Sequence, residues 1–233
     1  MRVNFIDDLF MEEDMSLFLE QGGKTKNLWW KNLKGFSDDA KSHLDYFKQR
    51  VNQHYLGLKQ FKPGTTLATA KTCPAIGNAF LNNTIIIKCP FDCFFSIEPD
   101  GRYFYDFPSE GIKLTTHHNT QLYSEKHNPF EGYAVIKWEF PIVVDAGKQP
   151  YMFLEPQYES NRTPFKVLNG VIDKDNRLQL NLNTLIKLPK EQEVYHVKEG
   201  THLAYIWTPK YSKIQYDKKL RLTVRKYLYI RSK

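Results

Sequence analysis

From Pro63-Gly64 onward the chain is a succession of short aromatic and β-branched runs separated by turn chemistry, with no apolar stripe at helical spacing. Runs of this kind at this spacing restrict the body to a sandwich, a jelly roll or a distorted barrel. The strands expected are 84–88, 93–97, 102–107, 133–140, 151–154, 166–168, 178–182, 193–197, 202–207, 221–224 and 226–230. Pro99-Asp100-Gly101, Asp145-Ala146-Gly147, Asp173-Lys174-Asp175-Asn176 and Glu199-Gly200-Thr201 supply turns between them. With 16 Phe, 14 Tyr and 4 Trp in 233 residues, the core can be built from large flat side chains, which favour strands.

The first third has a different texture. Ala40, Leu44, Phe47, Val51, Tyr55 and Leu58 recur at steps of three or four, which predicts a helix over 37–59 with one apolar stripe. Ser37 can cap it, Asp38 and Asp39 suit its positive end, and Gly57 weakens its last turn. Trp29 and Trp30 just upstream are read as packing on this helix rather than stacking on a base. Residues 4–20 predict a short acidic amphipathic helix carrying Phe5, Leu9, Phe10 and Phe18, ended by Gly22-Gly23.

Net charge is +7 but unevenly placed. Residues 1–23 hold six acids against Arg2, or −5; residues 210–233 hold nine Lys/Arg against Asp217, or +8. Attraction between an acidic arm and a basic tail, within or between subunits, accounts for the asymmetry. A nucleic-acid-binding tail is the less favoured account, because the same tail reads as strand. Exposed pairs are individually weak. Apolar anchors are therefore assigned to any partner contact: Phe5, Leu9 and Phe10 from the arm, Leu222 and Tyr229 from the tail. On this reading residues 1–20 serve association and are dispensable for folding.

No run reaches the ~18 apolar residues of a membrane span, and 1–15 lack the apolar region of a signal peptide. Three cysteines, Cys73, Cys89 and Cys93, are read as buried structural thiols in a reducing compartment. Cys89-Pro90-Phe91-Asp92-Cys93 offers at most two sulfurs to a metal, short of a zinc set. Gly-x-Ser-x-Gly, P-loop, His-Glu-x-x-His and dinucleotide fingerprints are absent.

One stretch is more specific. Phe165 to Asp175 reads Phe-Lys-Val-Leu-Asn-Gly-Val-Ile-Asp-Lys-Asp, followed by the alternating 178–183 and then by Val197-Lys-Glu-Gly-Thr-His-Leu-Ala-Tyr-Ile206. This resembles the C-terminal half of the dUTPase and dCTP deaminase fold, a distorted jelly-roll barrel that usually forms trimers. Residues 27–208 as a whole resemble a phage protein family, through the Trp-Trp-Lys stretch, Cys73-Pro74 before the strand at 84–88, and the Gly-Val-Ile-Asp corner. That wider resemblance implies no particular activity.

The dUTPase resemblance implies Asp173 as the water-orienting carboxylate with Asp175 beside it, Gly170 and Asn176 against the sugar, and Mg2+ as cofactor. Asn176 stands where the family has its sugar-stacking tyrosine. The phosphate-binding Gly-Arg-Ser-Ser segment and the glycine-rich closing arm have no counterpart in the sequence. The corner also has a structural account, with Asp173 and Asp175 capping turn N–H groups and Gly170 allowing an unusual backbone.

The resulting expectation is an α+β protein. N-terminal helices over 1–61 pack on a mainly antiparallel β-barrel or jelly roll over 62–233, resembling the dUTPase-like fold. The function expected is non-catalytic binding or assembly, as a homo-oligomer or with other phage proteins, in the host cytoplasm or in the virion. The alternatives are a nucleoside triphosphate pyrophosphohydrolase using Asp173 with Mg2+, and a cupin-like metalloenzyme. The second would draw on His117 or His118, His127 and His202, with Glu125. The aromatic run 102–107 is read as strand packing rather than as a base-stacking platform.

Overall fold

The computed structural model describes residues 1–6, 10–24, 36–37, 67–68, 83–106, 111–116, 129–156, 163–174 and 177–220. Sixteen strands occur among them. In chain order they are β1 Arg2–Phe5, β2 Leu19–Gln21, β3 Phe36–Ser37, β4 Leu67–Ala68, β5 Thr84–Lys88, β6 Cys93–Ile97, β7 Tyr103–Asp106 and β8 Lys113–Thr116. Then come β9 Tyr133–Asp145, β10 Tyr151–Leu154, β11 Lys166–Val167, β12 Gly170–Ile172, β13 Arg177–Lys187, β14 Glu193–Val197, β15 His202–Trp207 and β16 Gln215–Tyr216. Among the described residues helix is limited to the single turn α1, Met15–Phe18, and 3-10 turns at Glu12–Asp14 and Gly22–Lys24. No helix among the described residues is long and apolar enough to cross a membrane.

A six-stranded sheet runs β11-β13-β9-β1-β16 with β8 also on β9, and a five-stranded sheet runs β12-β10-β15-β5-β2. A three-stranded sheet, β14-β6-β7, and the pair β3-β4 complete the set. Apart from the parallel β1–β16 contact, every pairing among the described strands is antiparallel. The mainly antiparallel β architecture is as expected; the closed barrel is not, since the described strands form separate open sheets. Side chains from the three larger sheets still meet in one apolar cluster, including Val3, Ile85, Ile87, Phe95, Trp138 and Leu182.

Local sequence explains the strands. β5, Thr-Ile-Ile-Ile-Lys, is buried on both faces, as a continuous apolar run between two neighbours requires. β13 alternates, with Leu180, Leu182, Thr184 and Ile186 inward, so one face meets the core. β9 is long enough to take two partners along one edge: β8 opposite 136–139 and β1 opposite 142–145. Pro141 falls between them. Having no N–H, it cannot extend the ladder, and β13 shifts register there, pairing Gln179 with Val143 but Asn181 with Glu139. The Gln179 side chain donates to the Phe140 carbonyl at 3.0 Å, so the irregularity leaves that acceptor satisfied.

The amphipathic helix expected over 4–20 is not formed. Residues 2–5 are a strand held on both sides by β9 and β16, and this pairing overrides the weak helical spacing. Phe5, Phe10 and Phe18 do meet, with ring centroids 5.0 to 5.6 Å apart. A strand folding back through α1 brings them together rather than a helix face. The helix expected over 37–59 lies outside the described residues except at Ser37, which pairs with Leu67 in β3-β4. The expected division at 61/62 lies there too, but β1 and β2, N-terminal to it, are strands of the body's two larger sheets.

The acidic arm and basic tail do approach each other, with the charges reversed. Arg2, the only base of 1–23, bonds Asp217, the only acid of 210–233, at 3.2 Å. Asn4, buried in β1, donates to the Leu220 carbonyl at 3.0 Å. Main-chain pairing and buried amides hold this contact, within one subunit.

Candidate functional site

The Asp173 corner follows β12. Asp173 is exposed at the end of β12, and its Oδ1 accepts the Lys174 N–H at 2.8 Å. Asp175 and Asn176 lie outside the described residues. Gly170 is not in the left-handed region: it sits in β12 opposite Phe153, whose ring would lie 3.7 Å from an added Cβ. The unusual backbone expected there is therefore absent, and glycine is tolerated rather than required. The described part of the corner is a capped turn.

Of the cupin-like set, His202 alone is described, buried on β15; 117, 118, 125 and 127 lie outside. No three His, Cys, Asp or Glu side chains among the described residues converge on a possible metal position.

An electrostatic cluster at the end of β9 lies outside the sequence expectations. Asp145, at the end of β9, pairs with Arg2 and lies 3.6 Å from Arg177, while the Gly147 N–H donates to it at 2.8 Å. Gly147 has φ +64°, which lets the chain turn back to cap the carboxylate. Burial alone would raise the Asp145 pKa, but the Gly147 amide, Arg2 and Arg177 outweigh it and hold the carboxyl below its usual value. This is a fully occupied structural carboxylate. Because its folded pKa is below the unfolded one, its contribution is complete above about pH 4 and is lost as pH falls through the folded value. Asp145→Asn is expected to cost about 1–3 kcal/mol at pH 7, toward the low end because Arg2 and Arg177 are partly exposed. Denaturant titrations at pH 7 and pH 3 should show the difference between wild type and variant shrinking in acid.

Beside it a groove of about 560 Å3 is lined by Gly147, Lys148, Tyr151, Lys210 and Ser212. Its hydroxyls already serve each other, Tyr151 Oη to Ser212 Oγ at 2.6 Å.

A third place differs from both. β6 presents Cys93, Phe95 and Ile97 inward, so its other face carries Phe94 and Ser96. Register sets Phe94 between His196 of β14 and Asp106 of β7, and Ser96 between Val194 and Phe104. Phe94, Phe104 and Val194 are 46%, 55% and 69% exposed. The Phe94 ring stacks on His196 at 4.3 Å and 12°. His196 is held in turn by Asp92 at 3.2 Å. The Glu199 N–H and then His196 lower the Asp92 pKa, so this carboxylate stays charged beside the imidazole.

The partner residues assigned from the sequence fall elsewhere. Phe5 is 2% exposed in the chain's own core, and Phe10 packs against that core. Burial of Phe5 removes it as a docking residue. Leu9, Leu222 and Tyr229 lie outside the described residues. Residues 102–106 are more exposed than strand packing suggested, because among the described strands β7 lies at a sheet edge with Phe104 outward and Tyr105 only partly covered, while Phe107 lies outside the described residues.

No protein-family model matches the chain, and no curated protein matches it. Among solved structures it is similar to a mutant dUTPase from phage phi11 of S. aureus, at 19% identity and TM-score 0.27, over 47% of this chain and 78% of that one. It is similar also to the dUTPase of Staphylococcus bacteriophage 80alpha with dUpNHpp, at 12% identity and TM-score 0.25, over 45% and 94%. These neighbours are phage dUTPases; at such TM-scores the likeness carries no argument about this chain's chemistry.

Proposed function

We propose that this protein is a binding or assembly component that associates with copies of itself through the outer face of β14-β6-β7. The observation that carries this is the exposed block of Phe94, Phe104 and Val194 on one regular face, since contiguous apolar surface of this kind marks contact sites. The face is also self-complementary. A two-fold axis in the interface, parallel to β6 and passing over Phe94, sets Phe94 on its own copy. The same axis sets Val194 on Phe104 of the second copy and His196 on Asp106, so each contact is made twice, as an isologous interface demands. From the sequence resemblance alone, the setting is a phage-infected cell, in the host cytoplasm or the virion.

Sedimentation over a wide range of concentration tests this. Wild type is expected to self-associate, and Phe94→Glu with Phe104→Glu to weaken association by roughly thirtyfold or more while the fold persists. His196→Asp should weaken it, and adding Asp106→His should restore part of the loss. A wild type that stays monomeric throughout, or variants that associate as it does, would overturn the reading.

The competing reading, pyrophosphate release from a deoxynucleoside triphosphate, has Asp173 as its centre, and that exposed carboxylate is used to cap its own turn. Incubation of the protein with dUTP and Mg2+ is expected to give no pyrophosphate, and Asp173→Asn to change nothing.

A further inference from the structure

Cys89 directly follows β5 and Cys93 begins β6, so the turn between them joins the five-stranded sheet to the three-stranded one. Both thiols are 0% exposed, and their sulfurs stand 3.3 Å apart. Each also lies near the Phe91 carbonyl, at 3.2 and 3.5 Å. The backbone on either side is fixed. The Cys89 N–H donates to the Thr201 carbonyl at 2.9 Å, the Cys89 carbonyl accepts from the Gly200 N–H at 2.7 Å, and Cys93 pairs with Val197. Asp92, within the turn, accepts the Glu199 N–H at 2.9 Å. Two sulfurs are thus held closer than ordinary van der Waals contact by a frame tied at both ends. A disulfide needs about 2.05 Å between them, so closure asks the two sulfurs to approach by about a further 1.3 Å.

We infer that Cys89 and Cys93 form a reversible intramolecular disulfide by exchange with a small-molecule disulfide such as oxidised glutathione. One cysteine, deprotonated, attacks a sulfur of the reagent, forming a mixed disulfide and releasing one reduced thiol. The second cysteine, deprotonated in turn, attacks the protein sulfur of that mixed disulfide and expels the other thiol. Two protein thiols lose two electrons and two protons, and one reagent disulfide becomes two thiols. The hydrogen bond to Cys89 and then burial push the Cys93 thiol above its usual pKa. Exchange therefore proceeds through opening of the 90–92 turn and is slow in the closed state. Once made, the bond cross-links the turn between the two sheets to the start of the strand that presents Phe94.

The full-length protein, native, is equilibrated with glutathione from fully reduced to fully oxidised, quenched in acid, alkylated and digested with trypsin. Cleavage after Lys88 and Arg102 isolates Cys89 and Cys93 together, separate from Cys73. The expected result is that the 89–102 peptide shifts from doubly alkylated to an unalkylated form about 2 Da lighter than the dithiol. The closed fraction should rise roughly tenfold or more across the series and reverse with reductant, with a higher melting temperature for the oxidised protein. Cys89→Ser and Cys93→Ser each should abolish the closed peptide, and the wild-type peptide alone decides the matter if either fails to fold. Persistent double alkylation in oxidised glutathione, glutathione adducts without closure, or closure only in denaturant would overturn the inference.

Discussion

Deleting residues 1–20 is expected to abolish the cooperative unfolding transition, leaving a chain without a native baseline in circular dichroism or amide dispersion in NMR. The deletion removes β1 from the interior of the six-stranded sheet, where it bonds β9 on one side and β16 on the other. It also removes β2 from β5. Val3 and Phe18 are 0% exposed, and Phe5 and Leu19 are close to it. Taking out four such side chains costs about 2–5 kcal/mol each, against a total stability of about 5–15 kcal/mol. Reading 1–20 as an association arm predicts the opposite, a folded truncated chain that merely associates less. Retention of a sharp denaturant transition by the truncated protein would restore that earlier view.

The second large effect is expected at Trp138. It is fully buried in β9, edge-on to Phe95 with centroids 6.0 Å apart and tilted against Phe165 at 5.5 Å. Its Nε1–H donates to Thr184 Oγ1 at 3.1 Å, and that hydroxyl donates to the Ile136 carbonyl at 3.0 Å. Trp138→Ala should cost about 3–5 kcal/mol, because the cavity opens where the six-stranded and three-stranded sheets meet. Trp138→Phe keeps most of the apolar area and should cost less, about 1–3 kcal/mol, mainly through the lost hydrogen bond. Urea titration of both variants separates packing from hydrogen bonding. An alanine variant within about 1 kcal/mol of wild type would mean that the site is not a junction of the core.

How much of this could be read from residues alone depends on what defines each strand. β5, β6, β10, β14 and β15 fall where expected, to the residue, because an apolar or aromatic run and flanking turn residues mark their ends locally. β16 is Gln215–Tyr216, with no apolar pattern of its own; it is a strand because β1 offers it a partner. β1 is hard to recognise locally, because period two over four residues resembles helical spacing when Phe10 and Phe18 follow. The site fared worse. The Gly-Val-Ile-Asp corner is the most motif-like stretch of the sequence, yet Asp173 is an exposed turn cap. Two adjacent phenylalanines, Phe94 and Phe95, must lie on opposite faces of a strand. Which one faces outward, and that Val194 and Phe104 would flank it, depended on the register of β14 and β7.

The position of β1 also orders events during synthesis. Its partners lie at 142–145 and 215–216, so residues 2–5 emerge with no edge to join. At about 5–20 residues per second the wait for β9 is on the order of 10–30 s, and closing so distant a contact is itself slow. Through that interval Val3 and Phe5 are apolar groups on an unpaired strand, open to capture by holding factors or by another nascent chain. The six-stranded sheet can be finished only after translation has passed Tyr216, when β16 seals against a strand made some two hundred residues before it.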